Sequence, residues 1–166
     1  MYIMQIIVKN KNTLLYDDFK FKCCVGKNGV TSFKKEGDKK TPKGTFSLGP
    51  IYYRKKRSSG IITKLKLIAI KKNMGWCDDV NSKFYNKLIK TNIKVKHEKL
   101  FTKNNNYDIL IPIKYNMNKP KRNKGSAIFL HLTNNFKKTL GCIAINKKDM
   151  KILLKLINIK TKIKII

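Results

Sequence analysis

Gly125-Ser126-Ala127-Ile128-Phe129-Leu130-His131-Leu132 is followed, after a short polar stretch, by Thr139-Leu140-Gly141-Cys142-Ile143-Ala144-Ile145. Each is an apolar run in a chain whose other apolar runs are broken by lysine. Ala127–Leu132 reads as a central strand, and a loop then leads to a second strand beside it. That arrangement brings His131 next to Cys142. Imidazole is the side chain suited to moving protons near neutral pH. A thiol is a weak nucleophile until a neighbouring base takes its proton. Gly141 lets the backbone turn sharply and a substrate approach closely, so backbone N–H groups around Gly141 and Cys142 can face an oxyanion. Taken without further context, a buried core His and a buried core Cys fit the same pattern.

A second marker lies far upstream: Gly37-Asp38-Lys39-Lys40-Thr41-Pro42-Lys43-Gly44-Thr45-Phe46. Pro42 fixes its own φ and Gly44 tolerates unusual backbone angles, which predicts a tight, shaped loop into a strand at Phe46–Leu48. Thr-x-Gly-Cys-Ile after a strand ending in His, with this Thr-Pro-x-Gly segment before it, resembles the L,D-transpeptidase catalytic domain family (YkuD type). Two independent markers in the right order are far more specific than either alone. The resemblance extends over roughly residues 1–155.

The resemblance implies a mostly β fold, a sandwich or barrel. Members cross-link peptidoglycan stem peptides. Their Cys attacks the carbonyl of the third stem residue, usually a diamino acid, and releases the terminal D-Ala; the acyl-enzyme then passes to an amine. Carried over by position, Cys142 is the nucleophile, His131 its base, and Thr139 and Gly141 shape the oxyanion pocket. No cofactor and no metal are implied. Two departures stand out. Many members have His directly before Gly-Cys, where this chain has Leu140. Many carry Arg two positions after the Cys, a natural partner for a substrate carboxylate, where this chain has Ala144. The connection from His to Cys is also shorter than in many members.

Carboxylates are scarce: nine acidic residues stand against 39 basic ones, giving a net charge of +30. Four of the nine, Asp78, Asp79, Glu98 and Asp108, fall near Trp76, Cys77, Tyr85, Asn86 and His97. Acidic groups there could recognise the ammonium of a diamino acid, with Trp76 walling the cleft; Trp76, Asp79 and Tyr85 are the substrate-binding candidates. Salt bridging to the many lysines is the plainer role for each carboxylate taken singly. His97, in Lys96-His97-Glu98-Lys99, is the second candidate base but reads as exposed.

All but three of the basic residues are lysine, and Asn and Ile are also abundant, as an AT-rich genome would produce. Whatever its origin, the field draws the protein to polyanions, either anionic wall polymer or nucleic acid. No nucleic-acid-binding motif or aromatic stacking platform is evident. Among the four cysteines, Cys23, Cys24 and Cys77 read as small hydrophobes, and no Cys/His spacing suggests zinc.

The length of 166 residues fits one domain, a single catalytic domain over residues 1–166, and hardly two. Strands are expected at 3–8 (Ile3, Ile6, Ile7, Val8), Leu14–Leu15, Phe19–Val25, 61–70 and 107–115. The turn Gly26-Lys27-Asn28-Gly29 predicts a hairpin from Phe19–Val25 into Val30–Phe33. Ser82 and the Phe84/Leu88 spacing suggest a short helix over 82–89. Asn146 caps a C-terminal amphipathic helix with Asp149 near its positive end and Met150, Leu153, Leu154 and Ile157 on one face. The expected architecture is therefore a β sandwich or barrel with that helix and one or two short ones. Residues 1–12 lack the pattern of a signal peptide, the start at Met1 favours a chain without one, and no run is long enough to span a membrane. A periplasmic or cell-wall location thus follows from the resemblance alone, and a cytoplasmic one stays open.

Three functional readings remain: a transpeptidase passing the acyl group to an amine, an L,D-carboxypeptidase passing it to water, and a basic nucleic-acid-binding protein.

Overall fold

The computed structural model describes residues 5–166, so Ile3 of the expected first strand lies outside the described residues. The chain opens as an antiparallel meander of β1 (Gln5–Lys9), β2 (Thr13–Tyr16) and β3 (Phe19–Cys24). Its inward positions, among them Ile6, Val8, Leu14, Tyr16, Phe21 and Cys23, are all buried, as strand alternation requires.

The expected hairpin after β3 is not formed. The next strand, β4 (Val30–Thr31), pairs in parallel with β5 (Thr41–Pro42) and not with β3. The cause is local. Gly26 bridges to Thr139, and the Lys27 N–H donates to the Thr139 carbonyl at 2.8 Å, which draws the turn away from its own strand. Gly26 is required there: a Cβ would lie 2.5 Å from the Lys39 carbonyl oxygen.

β6 (Gly44–Ser47), β7 (Ile51–Tyr53) and β8 (Leu67–Ala69) follow. The strand expected over 61–70 is thus confined to its last part. β9 (Met74–Cys77), β10 (Leu88–Lys90) and β11 (His97–Lys99) make a small sheet in the order β10-β9-β11. The short helix expected over 82–89 is a run of turns leading into β10. Ser82 Oγ accepts from the Phe84 N–H, closing a turn and not a helix. Asn86 has φ +57, and its side chain is committed elsewhere, as described below.

β12 (Ile109–Pro112), β13 (Phe129–Leu132), β14 (Ile143–Ile145), helix α1 (Lys147–Leu156) and β15 (Lys162–Ile165) complete the chain. The main sheet has ten strands in the order β6-β15-β1-β2-β3-β14-β13-β12-β7-β8. Asn146 caps α1, accepting from the Asp149 N–H at 2.8 Å. Met150, Leu153, Leu154 and Ile157 are fully buried on one face of the main sheet, each worth about 1.5–3 kcal/mol of hydrophobic stabilisation. β15 was not expected from the sequence. It continues the sheet beyond β1 in parallel and pairs β6 on its other side.

The main sheet therefore carries apolar side chains on both faces. One face packs Leu130, Leu132, Ile143 and Ile145 together with α1. The opposite face packs Phe129 and Cys142 with Tyr52, Trp76, Leu100 and Leu110. Among the described residues no helix is long and apolar enough to cross a membrane.

Candidate active site

β13 and β14 run parallel, with Leu130 opposite Ile143 and His131 opposite Ala144. Residues two apart on a strand share a face, so Phe129, His131, Cys142 and Ala144 all present to the second face. The connection 133–142 returns the chain without a helix and delivers Cys142 to the foot of β14. There the Phe129 N–H donates to Cys142 Sγ (3.3 Å), and the thiol donates to the Ala127 carbonyl (3.2 Å).

Both sequence markers converge at this point. Thr139 Oγ1 donates to the Cys142 carbonyl at 2.6 Å, and Thr41 Oγ1 donates to the same oxygen at 3.5 Å. Gly141 has φ +143, and a Cβ on it would approach the Lys40 carbonyl to 3.0 Å. The Thr41-Pro42 loop thus packs against the backbone that carries the thiol. Asp38 holds that loop, accepting from the Lys35 and Lys40 N–H groups and from the Lys34 ammonium. Burial works against its charge, but Lys34 and these amides hold its carboxyl below the usual range.

Cys142 and His131 line one cleft of about 830 Å³. His131 is buried, and its Nδ1 lies 2.9 Å from the Leu132 carbonyl. A carbonyl only accepts, so Nδ1 carries the proton and Nε2 holds the free lone pair. Burial pushes the imidazole down to about 4, partly opposed by the Leu132 bond, so the ring is neutral near pH 7. Burial first and the Glu98 charge second raise the Cys142 thiol well above its ordinary value. The resting pair is therefore a thiol and a neutral imidazole, not a thiolate–imidazolium pair. Thr139 also accepts the Gly141 N–H at 3.1 Å. That leaves the Cys142 N–H as the amide beside the thiol to which the described residues offer no acceptor.

The substrate-binding candidates fall differently. Trp76 does not wall the cleft. Its ring packs edge-on against Phe129 and Tyr52 in the core, and its indole N–H donates to Asn86 Oδ1 at 2.9 Å. Asp79 closes a turn onto the Asn81 N–H and does not line the cleft. Tyr85 lies behind the wall: its hydroxyl donates to Glu36, which does line the cleft. His97 bonds the Val95 carbonyl and covers Gly75, away from the cleft. Asp108 is buried against Arg57.

What the cleft presents instead is Glu98, Asp78, Glu36 and Tyr107, with Lys34, Lys39, Lys96, Lys99, Lys137 and Lys138 also on its walls. The Tyr107 ring stands edge-on to His131 (centroids 5.2 Å apart), and its hydroxyl donates to Glu98. Glu98 forms no ion pair with any of the described residues. Burial and the charge of Asp78 raise its carboxyl, against the Tyr107 bond. Asp78 pairs with Lys96 through Oδ2 (3.4 Å), while its buried Oδ1 has no partner. The sequence signal for Asp78 and Glu98 was the concentration of scarce carboxylates; Glu36 and Tyr107 had none. Ala144 is fully buried in the cleft floor opposite Cys24, so position 144 offers no cation to a substrate carboxylate. Among the described residues no group of three His, Cys, Asp or Glu side chains is arranged to hold a metal.

The family model for the L,D-transpeptidase catalytic domain (YkuD) matches residues 2–165. The chain belongs to this family. Among solved structures, a point mutant of the helical cell shape determining protein Pgp2 from Campylobacter jejuni aligns with a TM-score of 0.54 at 16% identity. The alignment covers 98% of this chain and 46% of that one, so this chain spans about half its length. L,D-transpeptidase 1 from Mycobacterium tuberculosis aligns with a TM-score of 0.41 at 10% identity, over 98% of this chain and 60% of that one. No curated protein sequence matches the chain. At such identities the Pgp2 likeness speaks to the fold, a mostly β L,D-transpeptidase architecture with one C-terminal helix.

Proposed function

We propose that residues 1–166 form one catalytic domain, a peptidoglycan L,D-transpeptidase with Cys142 as nucleophile and His131 as base. The supporting observation is the shared cleft: thiol and imidazole stand on one face of adjacent parallel strands, in a chain of this family.

Cys142 Sγ attacks the carbonyl carbon of the third residue of a tetrapeptide stem. Nε2 of His131 takes the thiol proton, and the Cys142 N–H faces the oxygen that becomes negative. The C–N bond to the terminal D-Ala breaks, and the leaving amine receives the proton from His131. An acceptor amine then attacks the thioester, gives its proton to His131, and frees the Cys142 sulfur, which takes that proton back. Glu98 lacks a cation of its own, and with the unpartnered Asp78 Oδ1 it accepts the ammonium of a diamino acid side chain. Once that ammonium is in place, the negative charge opposing thiol ionisation is offset, so substrate binding favours the thiolate. On this reading the enzyme works on the periplasmic or cell-wall side.

Intact-mass spectrometry after mixing with a carbapenem, which acylates such cysteines, tests the nucleophile. The wild type should gain one adduct and Cys142→Ala none, and tetrapeptide stems should yield cross-linked dimers with the wild type alone. Normal stem turnover by Cys142→Ala would refute the assignment.

A further inference from the structure

The cations of this chain are mostly spread over its surface, but one group is gathered in a depression. Lys83, Lys87, Lys119 and Arg122 line a groove of about 300 Å³ together with Ser82, Tyr85 and Pro120, and no carboxylate lines it. None of the ion pairs among the described residues involves these four.

Arg122 differs from the other two arginines. Arg54 donates to the Thr102 carbonyl and lies over the Phe101 ring, and Arg57 pairs with Asp108. Arg122 is exposed and has no hydrogen-bond, ion-pair or ring partner among the described residues. Its planar fork suits paired oxygens of a carboxylate or phosphate.

Hydrogen bonds tie the two groove walls together. Asn116 accepts from the Lys121 N–H and donates to the Lys121 and Gly125 carbonyls, closing the loop that carries Lys119 and Arg122. Asn86 donates to the Tyr115 and Asn116 carbonyls, fastening that loop to the turn that carries Lys83 and Lys87. Holding both walls in place lowers the ordering cost of binding. The floor residue Tyr85 meets the catalytic cleft from behind: its hydroxyl donates to Glu36 and accepts from the Gly125 N–H. The two concavities thus share a wall.

We propose that this groove binds carboxylate groups of the wall polymer whose stem peptides enter the cleft. The inference rests on the transpeptidase reading for the identity of the polymer. Nucleic acid fits less well, because the groove offers no open ring for a base to stack on: Tyr85 is buried, and Lys83 lies near the face of half-buried Phe84.

Co-sedimentation with purified peptidoglycan sacculi tests the proposal, using Cys142→Ala protein so that no chemistry intervenes. In that background Lys119→Ala with Arg122→Ala should weaken retention about tenfold and lower its salt dependence. Lys83→Gln with Lys87→Gln, an independent pair, should act in the same direction. Lys155→Ala with Lys160→Ala, exposed cations on and after α1, removes equal charge elsewhere and should change little. Equal losses in the groove and control pairs would reduce the effect to net charge and overturn the proposal, as would unchanged retention in both groove pairs. Loss of binding to a labelled DNA oligonucleotide with sacculus retention intact would overturn it in favour of nucleic acid. A wild type that forms no acyl-enzyme, while only the groove pairs lose retention, would refute the enzymatic reading and leave the groove standing.

Discussion

The proposed catalytic cleft and the Arg122 groove lie on either side of Tyr85 and differ in charge: the cleft sets carboxylates among lysines, and the groove holds cations alone. The cleft gathers three of the chain's nine carboxylates, Glu36, Asp78 and Glu98, alongside six lysines, and Glu98 forms no ion pair with any described residue. The groove gathers four cations and no carboxylate. Composition bias toward lysine would spread positive charge everywhere. It does not account for a half-buried acid beside the thiol, nor for one of only three arginines standing without a partner among the described residues. The difference separates what composition supplies from what the fold selects. In the terms proposed above, the cleft reads a cation on the peptide and the groove reads anions on the polymer.

The largest expected effect sharpens the cleft's half of this contrast. His131→Gln removes the base while keeping a polar side chain, and kcat for stem-peptide turnover should fall by about 10²–10⁴. The same variant tests the pH behaviour. The folded imidazole titrates near 4 and the unfolded one near 6.5. Between those values the unfolded chain binds a proton that the folded chain refuses. Stability contributed by the neutral ring is therefore fully present above pH 6.5 and is lost as pH falls toward 4. Chemical denaturation across that window should show stability rising with pH in the wild type, with a shallower rise in His131→Gln.

Glu98→Gln probes the cleft's charge directly. The preference for a stem with a free ammonium over its N-acetylated analogue should drop by about tenfold in kcat/KM. Removing the negative charge should also ease ionisation of Cys142, so alkylation of the free enzyme by iodoacetamide at fixed pH should speed up. Slower alkylation with an unchanged preference would break the contrast.

Asn86→Ala acts on both regions at once. Asn86 Oδ1 accepts from the Trp76 indole and the Ala127 N–H on the cleft side, and Nδ2 holds the Tyr115–Asn116 backbone on the groove side. Losing these buried bonds should cost about 1–3 kcal/mol, read as a lowered midpoint in urea. An unchanged midpoint would mean that the two regions are not held through this residue.

The proposed catalytic pair was legible because His131 sits in a regular strand and Cys142 directly before one. Alternation puts His131 and Cys142 on one face without any knowledge of the rest. The two markers were read as separate signals, yet Thr41 and Thr139 bond the same carbonyl of Cys142. Their co-occurrence reflects one packed unit. What failed was contact-dependent. Trp76, placed beside the acidic cluster, reads as a cleft wall, but Asn86 satisfies its N–H within the core. The Phe84/Leu88 spacing suggested a helix, and the same Asn86, at positive φ, overrides it. The hairpin after β3 was undone by Thr139, which is remote in sequence. β15 was missed although Lys162–Ile165 alternates visibly, because the helix pattern just before it dominated the reading of the C-terminus.

The protonated state of Cys142 bears on how long the protein stays competent. Peroxides oxidise thiolates far faster than thiols, and the first product, a sulfenic acid, is a step toward irreversible damage. On the proposed reading, a cysteine held as the thiol by burial and by Glu98 is shielded from that route while idle and exposed to it only once a cationic ligand has arrived. On that reading, the acid beside Cys142 acts as a safety catch against oxidative wear.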